Sequence, residues 1–77
     1  MPLIQIKLIQ GVFGPAEKQA IIQKVTDAMV SIEGEAMRGV TWVTIEEVSS
    51  GDWGIAGKTL RTEDVRAMRG ASARATG

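Results

Sequence analysis

One long amphipathic segment lies between two short apolar segments, and this order limits the chain to very few folds. Residues 15–33 carry apolar side chains at helical spacing, namely Ile21, Ile22, Val25, Ala28, Met29 and Ile32. Pro15 suits the first turn of a helix because its missing N–H would have no partner there, and Gly34 suits a left-handed helix end. The sequence therefore predicts one helix over about residues 15–33.

The two flanking apolar segments are predicted to be strands. Residues 3–9 and 40–48 are rich in β-branched residues and partly alternate between apolar and polar side chains. A strand, a helix and a second strand in this order form a right-handed crossover that places the two strands in parallel. We therefore expect an α/β (α+β) fold, in which residues 1–77 form a single domain built on one β-α-β protomer.

Such a unit leaves apolar surface uncovered. The sheet face opposite the helix is expected to carry Leu3, Ile9 and Trp42, and both strands have an open edge. Another copy of the same chain is the simplest cover for this surface. We therefore expect a homo-oligomer, although the strand pattern does not predict its number of copies.

The last third of the chain is predicted to be less regular. Residues 49–58 contain three glycines around Trp53, which is typical of a turn-rich loop. Residues 62–69 favour a short C-terminal helix that Gly70 would end. Residues 70–77 are expected to form a frayed tail.

Composition excludes several classes of function. The chain has no cysteine and no histidine, so we expect no disulfide, no zinc site and no Ser-His-Asp or Cys-His centre. The formal net charge is zero, which argues against a nucleic-acid partner. No apolar run reaches membrane-spanning length and no secretory signal is recognisable. A cytoplasmic protein with no membrane partner is the expectation.

Pro2 is the most distinctive candidate for a catalytic group. Removal of Met1 would leave a free secondary amine, and α-amino groups titrate near about 7.7–8.0. Desolvation lowers that pKa, so Pro2 would be a neutral base close to working pH, or an amine nucleophile. The alternative is structural, because proline is tolerated at the first position of a strand. If Met1 is retained, the Pro2 nitrogen is an amide that is neither basic nor nucleophilic.

Two tryptophans are the candidate substrate-binding residues. Trp53 lies in the segment GDWGIAG, where it would form either an apolar pocket wall with an indole N–H for a substrate oxygen, or a plug in a subunit interface. Trp42 lies on the strand face away from the helix. Packing in a core or interface competes there with contact to a ligand.

These residues together resemble the 4-oxalocrotonate tautomerase family. The resemblance rests on MP at the start of a strand, on a strand–helix–strand of this size, and on GDWGIAG after the second strand, and it covers residues 2–60. It implies a homo-oligomer of β-α-β protomers, commonly a hexamer, with a trimer or a dimer as alternatives. It also implies an isomerase that moves a proton in an enol or 2-keto acid, with Pro2 as the base, Trp53 as an aromatic pocket residue, and no metal or organic cofactor.

Two places depart from the pattern of that family. Members that act on dicarboxylates usually carry one arginine just after the first-strand glycine and another in the second strand, where this chain has Val12-Phe13 and Trp42. These side chains cannot hold a carboxylate in bidentate fashion. The expected substrate is therefore a small apolar or aromatic enol or 2-keto compound. Lys7, Arg38 and the arginines of the tail are the remaining candidate cations.

Two other functions on the same scaffold stay open. One is a non-catalytic oligomeric small-molecule-binding protein that retains Met1. The other is a hydratase or decarboxylase in which a cationic Pro2 donates a proton. The acidic residue that related dehalogenases use to activate water has no recognisable match, so hydrolytic dehalogenation is not expected.

Overall fold

Two strands and one long helix form the first part of the fold, and a hairpin and a second helix follow. The computed structural model describes the backbone of residues 1–76 and the side chains of residues 1–70. The elements in chain order are β1 (Leu3–Ile9), α1 (Pro15–Glu33), a 3-10 helix (Glu35–Val40), β2 (Trp42–Val48), β3 (Trp53–Ile55), β4 (Lys58–Leu60) and α2 (Thr62–Thr76).

β1 and β2 pair side by side, with α1 as the crossover between them. At the start of the strands, the Trp42 N–H donates to the Pro2 carbonyl at 3.0 Å. At the other end, the Gln10 N–H donates to the Val48 carbonyl at 2.8 Å. The N-terminal ends of the two strands lie side by side, and so do their C-terminal ends, so the pair is parallel. The predicted β-α-β arrangement is therefore confirmed.

α1 begins and ends at the predicted residues. Pro15 is its first residue, and the preceding Gly14 N–H donates to Oε1 of Glu17 at 3.2 Å. At the other end, Gly34 has φ +105° and donates its N–H to the Val30 carbonyl at 2.8 Å. Both ends therefore lie where they were predicted, but Gly34 combines its positive φ with ψ +148°, so it is not in the predicted left-handed helical conformation.

The second strand is shorter than predicted. β2 starts at Trp42 rather than at residue 40, because Glu35–Val40 form a 3-10 helix. The Thr41 hydroxyl lies within hydrogen-bonding distance of the Glu33 carboxylate and the Met37 carbonyl. These contacts turn the chain just before it enters the strand.

Residues 49–58 contain regular structure that the sequence did not predict. β3 and β4 form an antiparallel hairpin in which Trp53 lies opposite Leu60 and Ile55 lies opposite Lys58. Ala56 and Gly57 connect the strands with φ +53° and +79°. Two positive φ values are typical of a type I′ turn, which asparagine-glycine signals far more clearly than alanine-glycine does.

α2 is longer than predicted, so the expected helix end at Gly70 is wrong. The helix continues through Gly70 to Thr76. A glycine inside a helix costs only about 1 kcal/mol relative to alanine, which neighbouring helix-forming residues can offset. Fraying was predicted for residues 70–77. The side chains of residues 71–77 lie outside the described part of the chain.

The chain divides into two compact units. The first consists of Met1–Lys7 and Phe13–Glu46, and the second of Leu8–Val12 and the residues from Glu47 onward. The assignment of residues 1–77 to a single domain stays a prediction. No helix in the described part of the chain combines the length and the apolar character that crossing a membrane requires.

The first unit buries part of the predicted helix stripe. Ile21, Val25 and Met29 are half-buried, and the buried residue of the helix, Val30, was not part of the predicted stripe. Ile32 is 84% exposed, so its prediction as a packed residue is wrong. Helical periodicity gives the direction of a side chain but not what lies opposite it.

The predicted apolar sheet face is confirmed at two of its three residues. Leu3 and Trp42 are 56% and 55% exposed in the first unit. Ile9 is buried in the second unit, together with Val12, so its prediction as an uncovered residue is wrong. The strand alternation of β1 ends at this residue, where the chain enters the turn.

Gly11 gives a test of this turn, because two independent constraints exclude a side chain there. Its φ is +86°, and a Cβ would lie 3.0 Å from Cγ2 of Thr62. We expect Gly11→Ala to lower the free energy of unfolding by about 1–2 kcal/mol from the left-handed backbone alone. Urea unfolding at a fixed protein concentration measures the change.

Gly39→Ala is the matched control for this substitution. Gly39 has an ordinary φ, and a Cβ there would meet nothing within 4 Å. The urea concentration at the midpoint of unfolding of Gly39→Ala should stay close to that of the unsubstituted protein. Equal midpoints for the two variants would contradict the proposed strain at Gly11.

Candidate active site

Pro2 lies at the start of β1, where the backbone of the neighbouring strand holds it. Its ring is half-buried, and its carbonyl accepts the hydrogen bond from the Trp42 N–H. Met1 is 76% exposed and makes no hydrogen bond or ion pair with any residue that the structure describes. Removal of Met1 would therefore free the Pro2 nitrogen without breaking the contact that positions the ring.

Trp42 is brought close to Pro2 along the backbone. It is the first residue of β2, and parallel pairing places the starts of both strands together. Its indole is half-exposed, on the same sheet face as Leu3. The first unit thus combines the candidate base with one of the two candidate aromatic residues.

Trp53 belongs to the second unit and begins β3. Its side chain is half-buried, and its Cα lies opposite that of Leu60 in the hairpin. The hairpin gives Trp53 a defined backbone position, which the loop predicted from the sequence would not provide. At the base of the hairpin, the Gly51 N–H donates to the Leu60 carbonyl at 3.1 Å.

The candidate cations of the first unit already have acidic partners. Nζ of Lys7 lies 3.5 Å from Oε2 of Glu46. Arg38 places Nη1 2.8 Å from Oδ1 of Asp27 and Nε 2.8 Å from Oε1 of Glu35. Neither side chain therefore presents an unpaired charge to a ligand.

The hydrogen bond from Arg38 lowers the pKa of the Glu35 carboxyl below its ordinary value of 4.5, and the charge of Arg38 adds to this shift. The hydrogen bonds with Glu35 and Asp27 in turn raise the pKa of Arg38. A carboxyl whose pKa is lowered by folding stabilises the folded state at pH values above its ordinary pKa. That contribution is lost as the pH falls through the folded-state pKa.

Two arginines of α2 bind backbone carbonyls at the turn after β1. Nε of Arg66 donates to the Gly11 carbonyl at 2.9 Å, and Nη1 of Arg69 donates to the Val12 carbonyl at 3.1 Å. From the sequence these arginines were only candidate cations, and their contacts with the turn were not predicted. The signal was present in the helical spacing of Thr62, Arg66 and Arg69, which places them on one face of α2.

The described side chains do not form a metal site. No three acidic residues among them come together in a way that would hold a metal ion.

Known proteins share this fold and much of this sequence. A family model described as "Tautomerase enzyme" matches residues 2–63. A 2-hydroxymuconate tautomerase of Pseudomonas putida is 46% identical over 61 residues, which cover 79% of this chain and 94% of the relative. The crystal structure of DmpI from Helicobacter pylori has a TM-score of 0.67 at 32% identity and covers 77% of this chain and 95% of that one. The structure of TomN, a 4-oxalocrotonate tautomerase homologue in the tomaymycin biosynthetic pathway, has a TM-score of 0.69 at 28% identity, with 94% and 98% covered.

Replacing Arg38 by glutamine tests whether its guanidinium is engaged with Glu35. The substitution removes both the hydrogen bond and the charge that lower the Glu35 pKa. We expect the Glu35 carboxyl to titrate below 4.5 in the unsubstituted protein and to move up toward 4.5 in R38Q. Carbon-detected NMR of the side-chain carboxyls measures both titrations.

Lys24→Gln provides the control, because the Lys24 side chain makes no ion pair with any described residue. The Glu35 titration should stay unchanged in K24Q. A Glu35 pKa that R38Q does not raise would show that the Arg38 guanidinium does not bind Glu35 in solution.

Proposed function

Because the chain belongs to the tautomerase family and is thus an isomerase, we propose that Pro2, exposed by removal of Met1, is its general base. The observation that carries this proposal is the position of Pro2. Its half-buried ring is held at the start of β1 through its own carbonyl, while Met1 is exposed and unbonded within the described residues. The nitrogen is thus the one backbone group of Pro2 that the fold leaves available.

The proposed reaction moves one proton between an oxygen and a carbon of the substrate. The neutral Pro2 nitrogen accepts the proton of an enol hydroxyl, and the O–H electron pair becomes the second bond of the carbonyl. The electron pair of the C=C bond then takes a proton from the protonated Pro2, which restores the neutral base. Half-burial disfavours the protonated amine and keeps its pKa near working pH, as general acid–base catalysis requires.

An apolar or aromatic enol or 2-keto acid is the proposed substrate. Trp42 and Trp53 supply flat apolar surface with an indole N–H each, which suits an aryl group and a carbonyl oxygen. Lys7 and Arg38 are ion-paired, so the first unit offers neither of them to a second carboxylate. The 2-hydroxymuconate named for the Pseudomonas putida relative is a dicarboxylate, and we propose that this chain prefers a monocarboxylate.

A homo-oligomer is the proposed assembly, and a hexamer is the form we favour over a trimer or a dimer. Leu3 and Trp42 support it, because each exposes more than half of an apolar side chain on one sheet face. A second copy of the chain would remove this surface from water at a gain of about 25 cal/mol for each Å² buried. Trp42 would then contribute to an interface and to the substrate pocket together.

The role of Pro2 is tested by mass and by substitution. The intact mass of protein from its native host should lack Met1, since a retained Met1 turns the nitrogen into an amide. Pro2→Ala should lower kcat/KM for phenylenolpyruvate about 10²- to 10⁴-fold, the usual contribution of a positioned acid–base group. The ultraviolet absorbance of the enol follows the reaction.

Pro15→Ala is the matched control, because Pro15 is the other proline of the chain and begins α1. It should retain the activity of the unsubstituted protein. Unchanged turnover in P2A would remove Pro2 from the mechanism. A native mass that includes Met1 would favour the non-catalytic small-molecule-binding protein.

The substrate preference is tested by comparing two enols. We expect kcat/KM for phenylenolpyruvate to exceed that for 2-hydroxymuconate at least tenfold, because each missing charged hydrogen bond costs about 1.5–3 kcal/mol. Trp42→Arg should raise kcat/KM for the dicarboxylate, whereas Trp42→Gln removes the indole without adding a charge and should not. Equal turnover of both enols by the unsubstituted protein would contradict the proposed preference.

A further inference from the structure

Three consecutive carbonyls after β1 accept hydrogen bonds from one face of α2. The Thr62 hydroxyl donates to the Gln10 carbonyl, Arg66 donates to that of Gly11, and Arg69 donates to that of Val12. Residues four and three positions apart lie on one side of a helix. α2 is therefore attached to this turn by side chains along two helical turns, all within the second unit.

Arg66 makes the strongest of these attachments. Both Nε and Nη2 donate to the same Gly11 carbonyl, and the donor is charged. Charge-assisted hydrogen bonds are roughly twice as strong as neutral ones. The two-donor geometry also fixes the orientation of the guanidinium plane, which a lysine ammonium would not do.

The packing of helix on turn is close at the same place. A Cβ on Gly11 would lie 3.0 Å from Cγ2 of Thr62 and 3.7 Å from Nη2 of Arg66. The distance to Arg66 is ordinary van der Waals contact, whereas the distance to Thr62 would require its side chain to shift. The absence of a Cβ at Gly11 therefore lets the start of α2 pack closely on the turn that Arg66 binds.

The start of α2 is also tied to the base of the β3–β4 hairpin. The Thr62 N–H donates to Oγ of Ser50 at 2.9 Å, and the Gly51 N–H donates to the Leu60 carbonyl. Leu60 is the residue opposite Trp53. A shift of α2 away from the turn would thus move both ends of the hairpin that carries Trp53.

We propose that Arg66 is a positioning residue for Trp53. By fixing α2 to the turn after β1, Arg66 holds the base of the β3–β4 hairpin and so determines the position of the Trp53 indole. The family model ends at residue 63, so Arg66 lies in a part of this chain beyond the family match. The effect on substrate binding rests on the proposed function, in which Trp53 lines the pocket, whereas the effect on Trp53 itself does not.

Fluorescence tests the structural half of this proposal on the full chain. Trp42→Phe leaves Trp53 as the single tryptophan, since the chain has two. In that background, Arg66→Ala should shift the Trp53 emission to longer wavelength and raise its acrylamide quenching constant about twofold or more. Arg66→Lys keeps the charge but not the planar pair of donors, so it should recover part of the change. Unchanged emission and quenching in R66A would overturn the proposal.

Kinetics with phenylenolpyruvate test the functional half. In the otherwise unsubstituted chain, R66A should raise KM about fivefold or more and change kcat less than threefold, because the base is untouched. The KM of R66K should lie between those of the unsubstituted protein and R66A. An equal loss in kcat, or an unchanged KM despite altered Trp53 fluorescence, would overturn a positioning role in binding.

Lys58→Ala is the matched control for both measurements. Lys58 begins β4 of the same hairpin, and its side chain makes no hydrogen bond or ion pair with any described residue. K58A should leave fluorescence and KM unchanged, and a change equal to that in R66A would overturn the specific role of Arg66. If R66A fails to fold, R66K decides by the same criteria. If P2A keeps full activity, the proposed function fails and the fluorescence comparison alone decides about Arg66.

Discussion

The hydrogen bond between the Trp42 N–H and the Pro2 carbonyl is the contact on which the candidate site depends. It joins the starts of the two parallel strands and so places the candidate base beside an aromatic residue from a distant part of the sequence. Proline has no N–H to give to a sheet, so the carbonyl is its sole means of pairing. Strand pairing and a free ring nitrogen are therefore compatible in one residue.

Four cations of the chain contact groups of the protein itself. Lys7 and Arg38 bind carboxylates, while Arg66 and Arg69 bind carbonyls of the turn after β1. Arg61 differs, because its guanidinium makes no hydrogen bond or ion pair with any described residue. The proposed preference for an apolar monocarboxylate rests on the ion pairs of Lys7 and Arg38 in the first unit.

Local signals in the sequence predicted the elements that depend on them. Pro15 and Gly34 gave the bounds of α1, and alternation gave β1. The hairpin was missed because Ala56-Gly57 is a weak turn signal, and the length of α2 was missed because Gly70 resembles a helix end. The burial of Ile9 and the exposure of Ile32 depend on what lies opposite each side chain, which periodicity does not contain. Pro2, Trp42 and Trp53 were predicted as site residues, but the contacts of Arg66 link positions more than fifty residues apart and have no local signature.

The left-handed alanine at the tip of the hairpin has a consequence for engineering. Ala56 adopts φ +53°, a conformation that costs a residue with a Cβ roughly 1 kcal/mol and that glycine or asparagine adopts more readily. Glycine or asparagine at position 56 should therefore raise the free energy of unfolding. That gain would offset the stability lost to substitutions that reshape the pocket, so this turn is a suitable first position to change when substrate selectivity is redesigned.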